Sequence, residues 1–194
     1  MTRRSTTFDN YSDIASSWFY NPQQTAAWFS QLSVQNKEAD IVQTMKREFS
    51  LDIADLQILA PLQIPVVYAS MPYAPNKLPL ALISSGINKF FSVISALLTH
   101  PSGVVLLDEM ENGIYYDRLS AFWSTLRRVT EENQTQLFVS THSWECLQAA
   151  KETIKLEPDS FSLIRLEHGE SGSIARQFVG SDLEAAMEQG IDVR

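Results

Sequence analysis

Hydrophobic positions along this chain change their spacing several times, and each change predicts a new element. From Tyr11 to Tyr20 the apolar residues Ile14, Trp18 and Phe19 suit a short helix ended by Asn21-Pro22. That pair in turn supplies the cap and first position of a second helix, carrying Ala26, Ala27, Trp28, Phe29 and Leu32. A third, charged helix from about Lys37 to Phe49 puts Ile41, Val42, Met45 and Phe49 on one stripe. Trp18, Trp28 and Phe29 at helical spacing read as core before they read as a binding face. From Leu51 to Ser70 the texture is that of strands, with Ile53, Leu56, Ile58 and Leu59, then Ile64, Val66, Val67 and Tyr68. Five of the eight prolines fall between Pro61 and Pro79, so Met71 to Pro79 is expected as a loop or extended arm.

Ser84 or Ser85 then caps a helix whose stripe is Ile87, Phe90, Phe91, Ile94, Leu97 and Leu98. The run Val104-Val105-Leu106-Leu107 reads as a fully buried parallel strand, followed by a helix from about Tyr115 to Thr130 with Tyr115, Leu119, Phe122, Trp123, Leu126 and Val129 facing inward. Gln136 to Ser140 is the next buried strand, which makes a parallel strand-helix-strand crossover. A helix to about Lys151, a hairpin of Phe161 to Leu166 with Ser173 to Val179, and an acidic helix from Asp182 to Gln189 complete the chain. The fold class is therefore α/β, with a parallel-sheet core flanked by helices.

Composition narrows the picture. The 194 residues, 44% hydrophobic, suffice for one well-buried core, and no apolar run approaches the roughly 20 residues a membrane span requires. Arg3 and Arg4 are not followed by an apolar segment of secretory type. The single cysteine, Cys146, excludes an internal disulfide framework, fits a reducing cytoplasmic setting and reads as a small buried hydrophobe. A net charge of −8 opposes nucleic-acid binding over the whole surface and leaves only a local patch or a partner for that role.

Chemistry enters at the carboxyl ends of the two strands. Asp108 and Glu109 follow the first, where ligands of open α/β sheets bind. In nucleotide hydrolysis such a pair divides the work: one acid holds Mg²⁺ and the other orients or deprotonates water. His142, in Thr141-His142-Ser143 after the second strand, is expected to emerge beside them, where it can hydrogen-bond a phosphate or a catalytic water, or merely cap the next helix. The Ser84-Ser85-Gly86 helix start leaves bare N–H groups that can meet an anion, or is a plain cap. Asp108, Glu109 and Glu111 also invite a metal-dependent nuclease reading, which the strand-to-turn change disfavours because it points the acids apart.

Taken in order, Ile83-Ser84-Ser85-Gly86-Ile87-Asn88-Lys89, then Val104 to Gly113, then Val139-Ser140-Thr141-His142-Ser143 resemble the second half of an ABC-type P-loop ATPase. The group is that of the RecF/SMC-like and OLD-like AAA ATPases of bacterial defence and DNA maintenance. The resemblance implies ATP and Mg²⁺, with Asp108 as the metal-associated Walker B acid, Glu109 and His142 as catalytic glutamate and switch histidine, and Glu111, Asn112 and Gly113 as the D-loop. It implies that Ser84, Ser85, Gly86 and Lys89 contact a nucleotide held by an opposite subunit, and that residues 1–50 are a helical arm beside an ATPase-like lobe at 51–194. No Gly-x-x-x-x-Gly-Lys-Ser/Thr loop occurs in the 194 residues. The expectation is a portion lying after that loop, inactive alone and completed by a homodimer or a P-loop-bearing partner; the alternative is a non-catalytic binding or regulatory module on the same scaffold. Since the P-loop strand of the family lies beside the histidine-bearing strand, Phe161 to Leu166 or a second chain is expected to cover the edge of Gln136 to Ser140.

Overall fold

The computed structural model describes residues 11–14, 21–156, 158–169 and 172–188. Its centre is a helix. α4 (Ser85–Thr99) is apolar enough that every residue from Gly86 to Leu97 is buried, so it is surrounded by other elements instead of presenting one stripe. α1 (Pro22–Val34), α2 (Glu38–Phe49) and α5 (Leu119–Asn133) pack around it. Phe90 lies between Phe49 and Phe122, with ring centroids 4.8 and 5.2 Å away, and Phe91 meets Phe29 at 5.4 Å. Replacing Phe90 by alanine leaves a cavity among these rings and is expected to lower stability by about 3–5 kcal/mol in denaturant unfolding.

On α4 rests a parallel sheet in the order β1 (Tyr11–Ile14), β5 (Val104–Leu107), β6 (Gln136–Val139). α5 connects β5 to β6 and packs on α6 (Trp144–Leu156), so both inward β-strand ends point their following loops to one edge. A second, antiparallel sheet of β2 (Asp55–Leu59), β3 (Val66–Ser70) and β4 (Leu78–Pro79) packs on α1 through β3, and the short α3 (Leu80–Ile83) leads into α4. β7 (Ser162–Gly169) and β8 (Gly172–Val179) form a separate hairpin, followed by α7 (Gly180–Glu188). Among the described residues no helix is long and apolar enough to cross a membrane.

Four expectations are corrected. Tyr11–Ile14 is a strand, because parallel pairing with β5 overrides a weak helical spacing; Trp18 and Phe19 lie outside the described residues. β5 and β6 are buried on one face only. Val105 and Leu107 are enclosed, whereas the paired residues Leu106 and Phe138 are 43% and 49% exposed, since no helix layer among the described residues covers their side. Tyr115 is exposed, not inward, because the chain makes a 3-10 turn over Tyr116–Arg118 before α5 begins. Phe161 to Leu166 does not pair with β6: Ser162–Gly169 pairs with Gly172–Val179, a contact that costs little chain entropy because the partner follows directly. Among the described residues β6 is hydrogen-bonded to β5 alone.

Candidate functional site

The loops after β5 and β6 are tied together before any side chain is considered. Ser140 N–H donates to the Leu107 carbonyl at 2.9 Å, and Met110 N–H donates to the Ser140 carbonyl at 3.1 Å. Ser140 Oγ accepts from Glu109 N–H at 2.9 Å and donates to Asp108 Oδ1. Ser140 thus fixes the Asp108 carboxylate and the Glu109 peptide at once, a role that reasoning from sequence missed. The signal for it is only a hydroxyl residue ending the neighbouring strand.

Glu109 itself has φ +46°, in the left-handed region that a side chain rarely adopts. The turn bends its carboxylate back along the loop, where Oε2 accepts from Asn112 Nδ2 and Oε1 lies 3.9 Å from His142 Nε2. His142 is 82% exposed, so its ring is open to a ligand above the sheet edge. Glu111 faces elsewhere: Oε2 accepts from Thr141 Oγ1 at 2.7 Å and Oε1 from His142 N–H at 2.9 Å. The three acids are therefore held by different partners, against a common three-carboxylate metal centre. A single Mg²⁺ bound through one carboxylate, waters and phosphate oxygens asks less, and exposed Asp108 with its hard oxygens fits that demand.

Burial alone would raise the Glu111 carboxyl, but hydrogen bonds from Thr141 and from the main-chain N–H groups of Glu111 and His142 outweigh it and hold it below its ordinary value. A depressed carboxyl contributes stability that is present above the ordinary carboxylate range and is lost as pH falls through the folded value. Glu111→Gln is therefore expected to flatten the acid side of the stability curve, checked by thermal unfolding across a pH series. Burial also pushes the Cys146 thiol up, as suits an inert core residue.

Lys89, which the resemblance assigns to the nucleotide, directs its ammonium inward. It donates to the Glu109 carbonyl at 2.5 Å and to that of Asp108 at 3.5 Å. Burial lowers its pKa, partly opposed by the charges of Glu111, Glu109 and Asp108. Ser84, Ser85, Gly86 and Gly113 form an adjoining corner. Ser84 caps α4, accepting from Ile87 N–H at 3.5 Å. Gly86 and Gly113 approach backbone to backbone: a Cβ on Gly86 would lie 2.3 Å from the Gly113 carbonyl oxygen, and Gly113 has φ +79°. Beside this contact is a cleft of about 370 Å³ lined by Phe49, Ser84, Gly86, Ile87, Gly113, Tyr115, Asp117 and Arg118.

This arrangement can be compared with known proteins. Residues 21–146 match the AAA_21 family, described as "AAA domain, putative AbiEii toxin, Type IV TA system". The chain belongs to this AAA-domain family. Its fold is that of P-loop ATPases of the RecF/SMC/OLD-like group. A protein of Helicobacter pylori named "ATP/GTP phosphatase" is 26% identical over 119 residues, covering 58% of this chain and 32% of the relative. This AAA-domain chain therefore spans about a third of that relative's length. An SMC head bound to the C-winged helix domain of ScpA superposes with TM-score 0.58 and 13% identity, covering 93% of this chain and 58% of that one. A second SMC ATPase structure, concerned with ATP-driven dimerization and DNA stimulated activation, gives TM-score 0.50 and 10% identity, covering 81% and 94%. At such identities these two likenesses establish fold alone.

Proposed function

We propose that these residues are the Walker B, D-loop, signature and switch parts of an ATPase site that turns over only when phosphate-loop donors come from beyond the 194 residues. The observation that carries this reading is the convergence of Glu109 and His142, 3.9 Å apart, at the carboxyl ends of adjacent parallel strands. Family membership and the Helicobacter pylori relative's name support it.

In this reading Asp108, steadied by Ser140, holds Mg²⁺, which when bound neutralises phosphate charge. Glu109, steadied by Asn112, orients the attacking water and receives its proton. His142 donates from Nε2 to the terminal phosphate, and its exposure leaves room for that approach. Ser84, Ser85 and Gly86 present the α4 N-terminus to a nucleotide on an opposing subunit, with Gly113 set against them. The edge of β6 that is unpaired among the described residues, and the exposed Leu106 and Phe138, suit a strand and helix of a P-loop-bearing lobe, carried on the same polypeptide or on another. The opposing subunit in this proposal is in keeping with the ATP-driven dimerization of the SMC structure of like fold.

The test is phosphate release by the chain alone and by the chain joined to a family P-loop lobe. The reading expects negligible turnover alone and Mg²⁺-dependent turnover when joined. Joined protein that folds, binds Mg²⁺-ATP and still does not hydrolyse it favours the non-catalytic module.

A further inference from the structure

Lys89 is 7% exposed, and a buried ammonium is costly unless its protons are taken up. A methionine would occupy similar volume with no such cost; the ammonium is offset here by the nearby charges of Glu111, Glu109 and Asp108 and by two hydrogen bonds. Both go to main-chain carbonyls, those of Glu109 and Asp108. They fall on a turn in the left-handed region, since Glu109 has φ +46° without being glycine. Such a conformation persists only where its surroundings over-determine it. Ser140 holds the Glu109 N–H, Met110 N–H holds Ser140, and Asn112 holds the Glu109 carboxylate, all from the two loops themselves. Lys89 reaches the same turn from a different layer, the second turn of α4.

We propose that Lys89 is a positioning residue for Glu109: its ammonium, carried by α4, clamps the Asp108 and Glu109 carbonyls and holds the left-handed turn that presents the Glu109 carboxylate to Asn112 and His142. The role of Glu109 in hydrolysis rests on the reading above, but the clamp does not. α4 also begins at Ser85 and Gly86, in backbone contact with Gly113. A displacement of that helix start is therefore carried by Lys89 to the Glu109 peptide, which couples the outer corner of the site to its acid.

Amide hydrogen exchange of the nucleotide-free chain, followed by NMR in Lys89→Met and Lys89→Arg, tests the clamp whether or not the chain binds ATP. Lys89→Met is expected to speed exchange of the Glu109 and Met110 amides by about tenfold or more, the loss of a hydrogen bond to a charged group, with Leu126 and Val129 in α5 unchanged. Lys89→Arg should restore most of the protection. Unchanged local exchange, or acceleration spread evenly over the chain, overturns the proposal. Should Lys89→Met not fold, the unmodified chain decides: Lys89 ammonium protons exchanging slowly and correlated to the Glu109 carbonyl carbon support the clamp, and rapidly exchanging, uncorrelated ones overturn it. ATP hydrolysis that is indifferent to Glu109 would refute the functional reading and leave this result standing.

Discussion

Glu109→Gln, introduced into the chain joined to a P-loop lobe, is expected to reduce ATP turnover by about 10²–10⁴ while leaving Mg²⁺-ATP binding nearly intact. The amide keeps the size of the side chain and can still accept through its oxygen from Asn112 Nδ2, so the turn should survive. What disappears is the capacity to take a proton and the negative charge 3.9 Å from His142 Nε2. A loss in kcat with little change in KM is the signature of an interaction made mainly in the transition state. Equal losses of binding and turnover would instead show that Glu109 holds the nucleotide. Steady-state phosphate release and calorimetric titration on the same preparation separate the two.

The second large effect concerns the corner behind the acids. Gly86→Val is expected to destabilise the chain by about 1–3 kcal/mol, and to do so more than Gly86→Ala, because overpacking against main chain cannot be relieved by turning a side chain. The first added carbon would lie 2.3 Å from the Gly113 carbonyl oxygen and 3.3 Å from its carbon. Space behind Gly113 is short as well, since a Cβ placed there would lie 3.1 Å from Ser85 Oγ. The strain is expected to pass into Asn112 and so to the Glu109 carboxylate, giving lower turnover in the joined protein even below the melting temperature. Leu82→Ala, at an exposed position, is the control and should change stability by less than about 0.5 kcal/mol. Denaturant unfolding with turnover measurements checks all three variants.

The parts that could be read from sequence are those written in local chemistry. Asn21-Pro22 opens α1, with Asn21 Oδ1 accepting from Gln23 and Gln24 N–H, and Ser84 caps α4. Four apolar residues ending in Asp108 and Glu109 identify a strand that delivers acids to a sheet edge, and the same logic brings His142 beside them. The parts that could not be read are set by distant pairing. Tyr11–Ile14 becomes a strand because β5 has room beside it, ninety residues further on, which no local spacing records. Apolar runs at β5 and β6 suggest burial on both faces, yet cannot tell whether the covering layer is present. Ser140 and Lys89 matter through atoms that meet only after folding, and the left-handed turn at Glu109 carries no glycine to announce it.

As proposed above, Asp108, Glu109 and His142 belong to a nucleotide site completed by a phosphate loop from beyond the 194 residues. Calorimetric titration of Mg²⁺-ATP into the chain alone, and into the chain joined to a family P-loop lobe, tests it most directly. Dissociation constants of about 1 mM or weaker are expected for the first and about micromolar for the second, lost without Mg²⁺. Micromolar, Mg²⁺-dependent binding by the chain alone would contradict it, as would a folded joined protein that gains no affinity.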